Sequence, residues 1–268
     1  GALDFSDNEF LLHGLESTTT RDSTLDGTNN GATTGQTGKM GNSWIFESNL
    51  DTIVLPSSNF NSLSSGSVSV WINADTSLNS GDNTIISASD SGDGSSEWIL
   101  SYYGTGNQVS TLCRENGTTI KDYKVGTLST GTWHNIVYTN EVGVGHKIYV
   151  DGTSVSTDSA SCFFGAGVND VDSVMLGANK DSGGNQWYYG GLLDQVLIYD
   201  KVLSSSEVTA LYNGGSGDTT PDTDSLLAHY DFEQTGSTLE NQLFNTATTL
   251  PDKSTNSVAV GSSPIISN

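Results

Sequence analysis

The stretch Ser67-Val68-Ser69-Val70-Trp71-Ile72-Asn73 alternates small polar with apolar side chains. Successive residues of an extended chain point to opposite faces, so this pattern predicts a strand with one buried and one wet face. The same grammar recurs along the chain. Short runs rich in Val, Ile, Tyr and Trp predict strands at Ser43–Glu47, Thr52–Leu55, Asn83–Ala88, Glu97–Tyr103 and Gln108–Arg114. Further ones follow at Trp133–Thr139, Lys147–Val150, Ser173–Leu176 and Gly190–Tyr199. Clusters of Gly, Ser, Thr, Asn and Asp punctuate them, as expected of many short antiparallel strands. The run His146-Lys147-Ile148-Tyr149-Val150-Asp151-Gly152 ends in Asp-Gly, a hairpin signal. One helix is predicted, where Ser204 caps, Glu207 completes a capping box, Val208, Leu211 and Tyr212 share a face, and Gly214 ends the run.

Composition narrows the function classes. Apolar residues make up 34% of 268, below the roughly 45–50% of an ordinary soluble domain. Five Trp, ten Tyr and eight Phe nevertheless supply a core. Nine Lys and Arg against 31 Asp and Glu leave a formal charge of −22. Such a chain repels phosphate backbones and anionic lipid surfaces, which argues against a nucleic-acid partner. No run approaches the roughly 18 apolar residues of a membrane span, so membrane insertion is not expected. The chain opens on Gly1 with no secretion signal, which points to a removed leader or to a piece of a longer polypeptide. Cys113 and Cys162 are too few for a disulfide scaffold and lack metal-knuckle spacing. They either form one bridge, suited to an oxidising compartment, or remain two buried thiols.

The expected organisation is a sandwich over residues 1–213, a flexible linker over 214–224 and a tail over 225–268. The linker reads Gly-Gly-Ser-Gly-Asp-Thr-Thr-Pro-Asp-Thr-Asp. The tail carries a convincing strand at Leu226–Glu233 that echoes Leu11–Glu16, and Ala2–Leu12 echoes Trp44–Leu55. The ends therefore read as fragments of a further sandwich, with residues 1–14 as a repeat fragment. They would pair within the chain or donate a strand to a neighbour, a head-to-tail contact that propagates as a filament.

Four stretches in order resemble the concanavalin A-like sandwiches, specifically the laminin-G-like and pentraxin-like jelly rolls. They are Gly38–Phe46, Ser67–Ile72, Gly131–Tyr138, and Gly191–Asp200 with the following Leu203-Ser204 and Leu211-Tyr212. The resemblance spans roughly residues 10–213 and implies an all-β, two-sheet antiparallel jelly roll with one short helix near its end. It also implies a calcium site, because two loops match pentraxin ligand loops. Asp82, Asn83, Asn179 and Asp181 would give side-chain oxygens and Lys180 its carbonyl, the hard ligands Ca²⁺ takes. Asn179 stands where the family has an acid and Trp187 near the place of another, so one ion rather than two is implied. Asp194 is a further candidate for a structural ion.

The residues themselves supply aromatic candidates for stacking on sugar faces, namely Tyr102, Tyr103, Trp187, Tyr188 and Tyr189. Trp71 and Trp133 are read as core, and His134 as a strand-surface histidine. No strand carries the alternating acids of a retaining glycanase, and there is no Gly-x-Ser-x-Gly elbow, His-Glu-x-x-His or phosphate loop. The expectation is a non-catalytic, lectin-like binding or adhesion module at an extracellular, cell or virion surface, holding a glycan or surface protein with or without Ca²⁺. The alternative is a structural subunit of a filament, fibre or virion surface.

Overall fold

The computed structural model describes residues 20–47, 50–76, 78–182 and 184–245. In chain order its strands begin with β1 (Thr20–Arg21), β2 (Gly27–Asn30), β3 (Thr33–Thr37), β4 (Asn42–Glu47) and β5 (Thr52–Leu55). They continue with β6 (Gly66–Ala74), β7 (Asp82–Ser89), β8 (Glu97–Tyr103), β9 (Gln108–Glu115) and β10 (Thr118–Val125). Next come β11 (Trp133–Glu141), β12 (Gly145–Val150), β13 (Thr153–Asp158), β14 (Ser173–Leu176), β15 (Asn179–Asp181) and β16 (Gly184–Gln186). The long β17 (Gly190–Tyr199) leads to helix α1 (Ser205–Tyr212), then β18 (Leu226–Tyr230), β19 (Thr238–Leu239) and β20 (Phe244–Asn245).

Two antiparallel sheets of eight strands form the sandwich. Sheet one runs β10-β9-β8-β7-β14-β5-β2-β19. Sheet two runs β13-β12-β11-β6-β17-β4-β3, with β18 also paired to β17. Strand β17 is long enough to serve two neighbours on one side: Gly190–Leu193 pair with β4 and Val196–Tyr199 with β18. The expected jelly roll is the observed one. Strands β1 and β20 pair with each other in a unit separate from Asp22–Leu243.

Between the sheets lies an aromatic knot. The Trp98 ring on β8 stands 5.2 Å from Tyr138 on β11, 5.3 Å from Phe163 and 5.1 Å from Phe164, all fully buried. The Tyr138 hydroxyl donates to the Cys162 carbonyl at 2.6 Å. Cys162 is bridged to Cys113 on β9, which settles the bridge in favour of a disulfide. One loop is thereby stapled to sheet one beside the knot.

Local signals hold where backbone chemistry is strong. Asp151 and Gly152 both adopt left-handed φ, 50° and 74°, and join β12 to β13 as the two-residue hairpin that Asp-Gly predicts. Ser204 and Glu207 make the reciprocal capping box. The left-handed helix cap falls on Asn213, one residue before the expected Gly214. Trp71 is buried, but on the outer face of sheet two, stacked on Tyr212 with Lys39 over its ring. Trp133 is only half-buried.

The stretch expected to be a linker is tied down. Lys201 pairs with Asp222 at 3.2 Å, with Asp224 at 3.4 Å and with Glu207 at 2.9 Å. The segment expected as a tail enters the sandwich, with β18 on β17 and β19 at the edge of sheet one on β2. The echo at residues 1–14 and the rest of the tail, 246–268, lie outside the described residues.

The Cys113–Cys162 bridge closes a loop of 49 residues. Its replacement in a Cys113→Ser/Cys162→Ser variant should cost about 4 kcal/mol in urea unfolding, by the loop-closure scaling. Unfolding at an unchanged urea concentration would show that the staple contributes nothing.

Candidate functional site

The core takes one set of alternating side chains from β7, β8 and β9, so the other set forms an outer face. Pairing places Asp82, Tyr103 and Gln108 in one row across the three strands. Thr84, Ser101 and Ser110 form the next, with Lys124 of β10 opposite Ser110. Asp82 Oδ1, Thr84 Oγ1, Ser101 Oγ and Ser110 Oγ are all buried and all lack a hydrogen-bond partner within the protein. Buried polar atoms are normally paired, so four neighbouring orphans on one face are exceptional.

The Lys124 ammonium lies 4.7 Å from the Tyr103 ring centroid. Lys124 starts on β10 and Tyr103 on β8, so the two side chains together span β9 beside Ser110. Asp122 pins Lys124 by a hydrogen bond. Burial works against the charge, but the bond and charge of Asp122, with Asp82 and Tyr103 behind, hold the ammonium above its ordinary pKa.

Further along the same face a second polar group collects. Glu97, with 1% exposure, accepts from Arg114 Nε at 2.7 Å and from Arg114 Nη2 on one oxygen, and from the Asn179 amide on the other. Burial pushes its carboxyl above the usual carboxylate value, against the pull of Arg114. Asp181 lies 4.0 Å from Arg114 and accepts from Gln186 at 2.7 Å. These partners arrive on the β15–β16 hairpin, which lies on this face because Ser87 and Ser89 donate to the carbonyls of Ala178 and Lys180 at 2.8 and 2.7 Å. The chain turns onto the face at Gly177, whose φ is +83° and where a Cβ would fall 2.5 Å from the Phe46 ring, so no side chain fits.

The residues expected to share one calcium ion are not brought together. Asn83 sits at the start of β7 with its amide spent on Asn79, Gly81 and the Tyr102 carbonyl. The Lys180 carbonyl is held by Ser89 at the other end of that strand. Six residues at about 3.3 Å each separate the two ends by about 20 Å. Asp82 stays with Asn83, whereas Asn179 and Asp181 go with Glu97 and Arg114, so the donor set does not fit one ion. Among the described residues no three His, Cys, Asp or Glu side chains converge as metal ligands.

The aromatic candidates divide as well. Tyr102 and Tyr189 are buried in the core, Tyr102 because it alternates with outward Tyr103, and Tyr189 edge-on to Phe46. Tyr103, Trp187 and Tyr188 remain partly exposed. Trp187 adopts a φ of 53°, rare for a bulky residue, and its carbonyl accepts from Thr84 N at 2.7 Å. That bond seats it beside the hydroxyl row. The sequence did not single out Thr84, Ser101, Ser110, Gln108 or Lys124, since small polar residues on strands look alike until pairing aligns them.

Two other polar groups lie elsewhere. His134 Nδ1 meets Asp151 Oδ2 at 2.7 Å and its Nε2 meets Ser129 Oγ at 2.9 Å. Nε2 also accepts the Ser129 backbone N–H at 3.1 Å, so the imidazole clamps its loop rather than activating a nucleophile. On sheet two, Asp194 is fully buried, with Oδ2 accepting from Met40 N at 2.9 Å and Oδ1 unpartnered. Burial pushes its carboxyl up to about 7, against backbone N–H groups of Met40, Lys39 and Gln195 and with help from Glu233. Nearby, a cavity of about 250 Å³ opens between Met40, Gln195, Thr219, His229 and Glu233. There His229 bonds Gln195 at 2.8 Å, and burial keeps its imidazole below the ordinary value.

Comparisons with known proteins agree with this architecture. A laminin-G-like family described as part of the concanavalin A-like lectin/glucanase superfamily matches residues 47–209. A CBM40 module of the Ruminococcus gnavus IT-sialidase bound to α2,3-sialyllactose superposes with a TM-score of 0.53 at 17% identity, over 71% of this chain and 99% of that one. Domain 4 of a GH43 extracellular arabinanase from Geobacillus stearothermophilus, in complex with arabinotriose, gives 0.50 at 23% identity, over 68% and 86%. The binding domain of Paraclostridial Mosquitocidal Protein 1 gives 0.53 at 19%, over 70% and 47%. At these identities the likeness is one of fold. In sequence, 100 residues are 31% identical to botulinum neurotoxin type X of Clostridium botulinum, 37% of this chain but 7% of the length of that relative.

Asp194 yields a pH signature. A carboxyl near 7 when folded and about 3.9 when unfolded holds its proton more tightly in the folded state. Its contribution to stability is therefore complete below about pH 4 and is lost as pH rises towards 7. Asp194→Asn should be more stable than the wild type at pH 8 by on the order of a few kcal/mol, and level with it at pH 4, in urea unfolding. An equal difference at both pH values would contradict the buried, unpaired carboxyl.

Proposed function

Because the chain belongs to the concanavalin A-like lectin/glucanase superfamily, in its laminin-G-like family, we propose that it is a non-catalytic glycan-binding module of the extracellular milieu. Its sugar site is the outer face of β7–β10, centred on Tyr103. The single observation that carries this reading is the set of four unpartnered oxygens beside Lys124 and Tyr103. Sugar hydroxyls both donate and accept, so they can satisfy Asp82, Thr84, Ser101 and Ser110 together, while a ring C–H face rests on Tyr103.

Fold neighbours solved with sialyllactose and arabinotriose support a glycan as the ligand class. The disulfide supports an oxidising compartment, and no helix among the described residues is long and apolar enough to cross a membrane. A binding rather than a hydrolytic role is supported by the neighbouring carboxylates Glu97 and Asp181. Glu97 is buried, with both oxygens engaged by Arg114 and Asn179, so it has no proton placed to give a leaving group.

A glycan array followed by calorimetry tests the reading. The chain should retain at least one oligosaccharide class, and Tyr103→Ala should weaken that binding at least tenfold, about 1.4 kcal/mol, without lowering the unfolding temperature. An array with no ligand, or full binding by Tyr103→Ala, would refute the assigned site.

A further inference from the structure

We propose that this face selects uncharged sugars, and that Lys124 covers the site rather than binding a sugar carboxylate. The inference rests on the glycan-binding reading and narrows its ligand class. Nine Lys and Arg residues occur in the chain, and on this face the sheet itself supplies two, Arg114 and Lys124. Each is already matched. Arg114 holds Glu97 with two nitrogens, and Asp181 stands behind it. Lys124 is bonded to Asp122, with Asp82 close enough to raise its pKa. Lys180 adds nothing, because it alternates with Asn179 and Asp181, which turn towards the sheet, and so it points away. Two cations against Glu97, Asp181, Asp122 and Asp82 leave the face with a charge of −2. The whole chain, at −22, adds to the repulsion of an anionic ligand.

The unpartnered atoms point the same way. A carboxylate oxygen such as Asp82 Oδ1 accepts and never donates. It requires a donor, and a sugar hydroxyl is one, whereas an ionised carboxylate is not. Thr84, Ser101 and Ser110 each carry a hydroxyl that fits the mixed donor and acceptor edge of a neutral sugar. Access requires the Lys124 side chain to leave the Tyr103 ring, and the sugar face then takes the position the ammonium vacates.

The test is an array on which neutral oligosaccharides stand beside counterparts bearing a uronic or sialic acid, read for the wild type, Lys124→Met, Asp82→Asn and Tyr103→Ala. The neutral member of each pair should bind at least tenfold more tightly, since two like charges a few ångströms apart at a protein surface repel by about that much. Lys124→Met should bind neutral sugars at least as well as the wild type. Asp82→Asn should bind carboxylated sugars better relative to neutral ones. Equal or tighter binding of the carboxylated members, or loss of binding in Lys124→Met with the fold intact, would overturn the inference. If both kinds bind alike and Tyr103→Ala loses both, selectivity fails while the glycan site stands. If the wild type retains nothing, both fall.

Discussion

Everything on the outer face of sheet one depends on the insertion of Trp98 between the sheets. Its ring meets Tyr138, Phe163 and Phe164 in one cluster, and the Cys113–Cys162 bridge and the Tyr138 hydroxyl lock that cluster to its loop. Side chains alternate along β8, so burying Trp98, Leu100 and Tyr102 forces Glu97, Ile99, Ser101 and Tyr103 outward. A slip of one residue would exchange the two sets, and the cost of exposing Trp98 forbids it. The core thus sets the register of this outer face without touching it.

That face is poor in charge that a ligand can use and rich in hydrogen-bonding groups that the protein leaves unmatched. Arg114 is absorbed by Glu97 and Lys124 by Asp122, while hydroxyls in the neighbouring row find no partner. The β15–β16 hairpin closes one end of the face and Trp187 borders the row. Sheet two differs. There α1 covers Leu197, Tyr199 and Tyr149 on the outer face, and beside the polar cavity lies a buried carboxylate, Asp194, held by the Met40 backbone N–H. The two outer faces therefore differ in cover: α1 packs over one, and the other carries the row of unpartnered hydroxyls.

Much of the architecture was legible in the sequence because it rests on local signals. The alternation at Ser67–Asn73 marks β6, although the face expected to be wet is buried there under the Lys201–Leu203 segment and Tyr212. The Asp151-Gly152 turn and the Ser204/Glu207 box each express local backbone preferences. Strands β10 and β13 were not legible, since Thr118–Val125 and Thr153–Asp158 are polar edge strands with little apolar periodicity. The linker-like composition of 214–224 concealed two acidic anchors, Asp222 and Asp224, because Lys201 that gathers them lies outside the stretch. The calcium set failed for a geometric reason: residues that match two ligand loops lie at opposite ends of β7. Of the aromatic pair Tyr102-Tyr103, only alternation against a known core decides which ring is free.

Mapping a bound oligosaccharide by backbone amide chemical shifts tests the central claim most directly. Titrating the strongest array ligand into isotope-labelled protein should shift amides of Ser101–Tyr103, Gln108–Ser110, Lys124 and Trp187, and leave those of Met40, Gln195 and His229 unmoved. Shifts confined to the sheet-two cavity, with β8 and β9 unperturbed, would contradict the account.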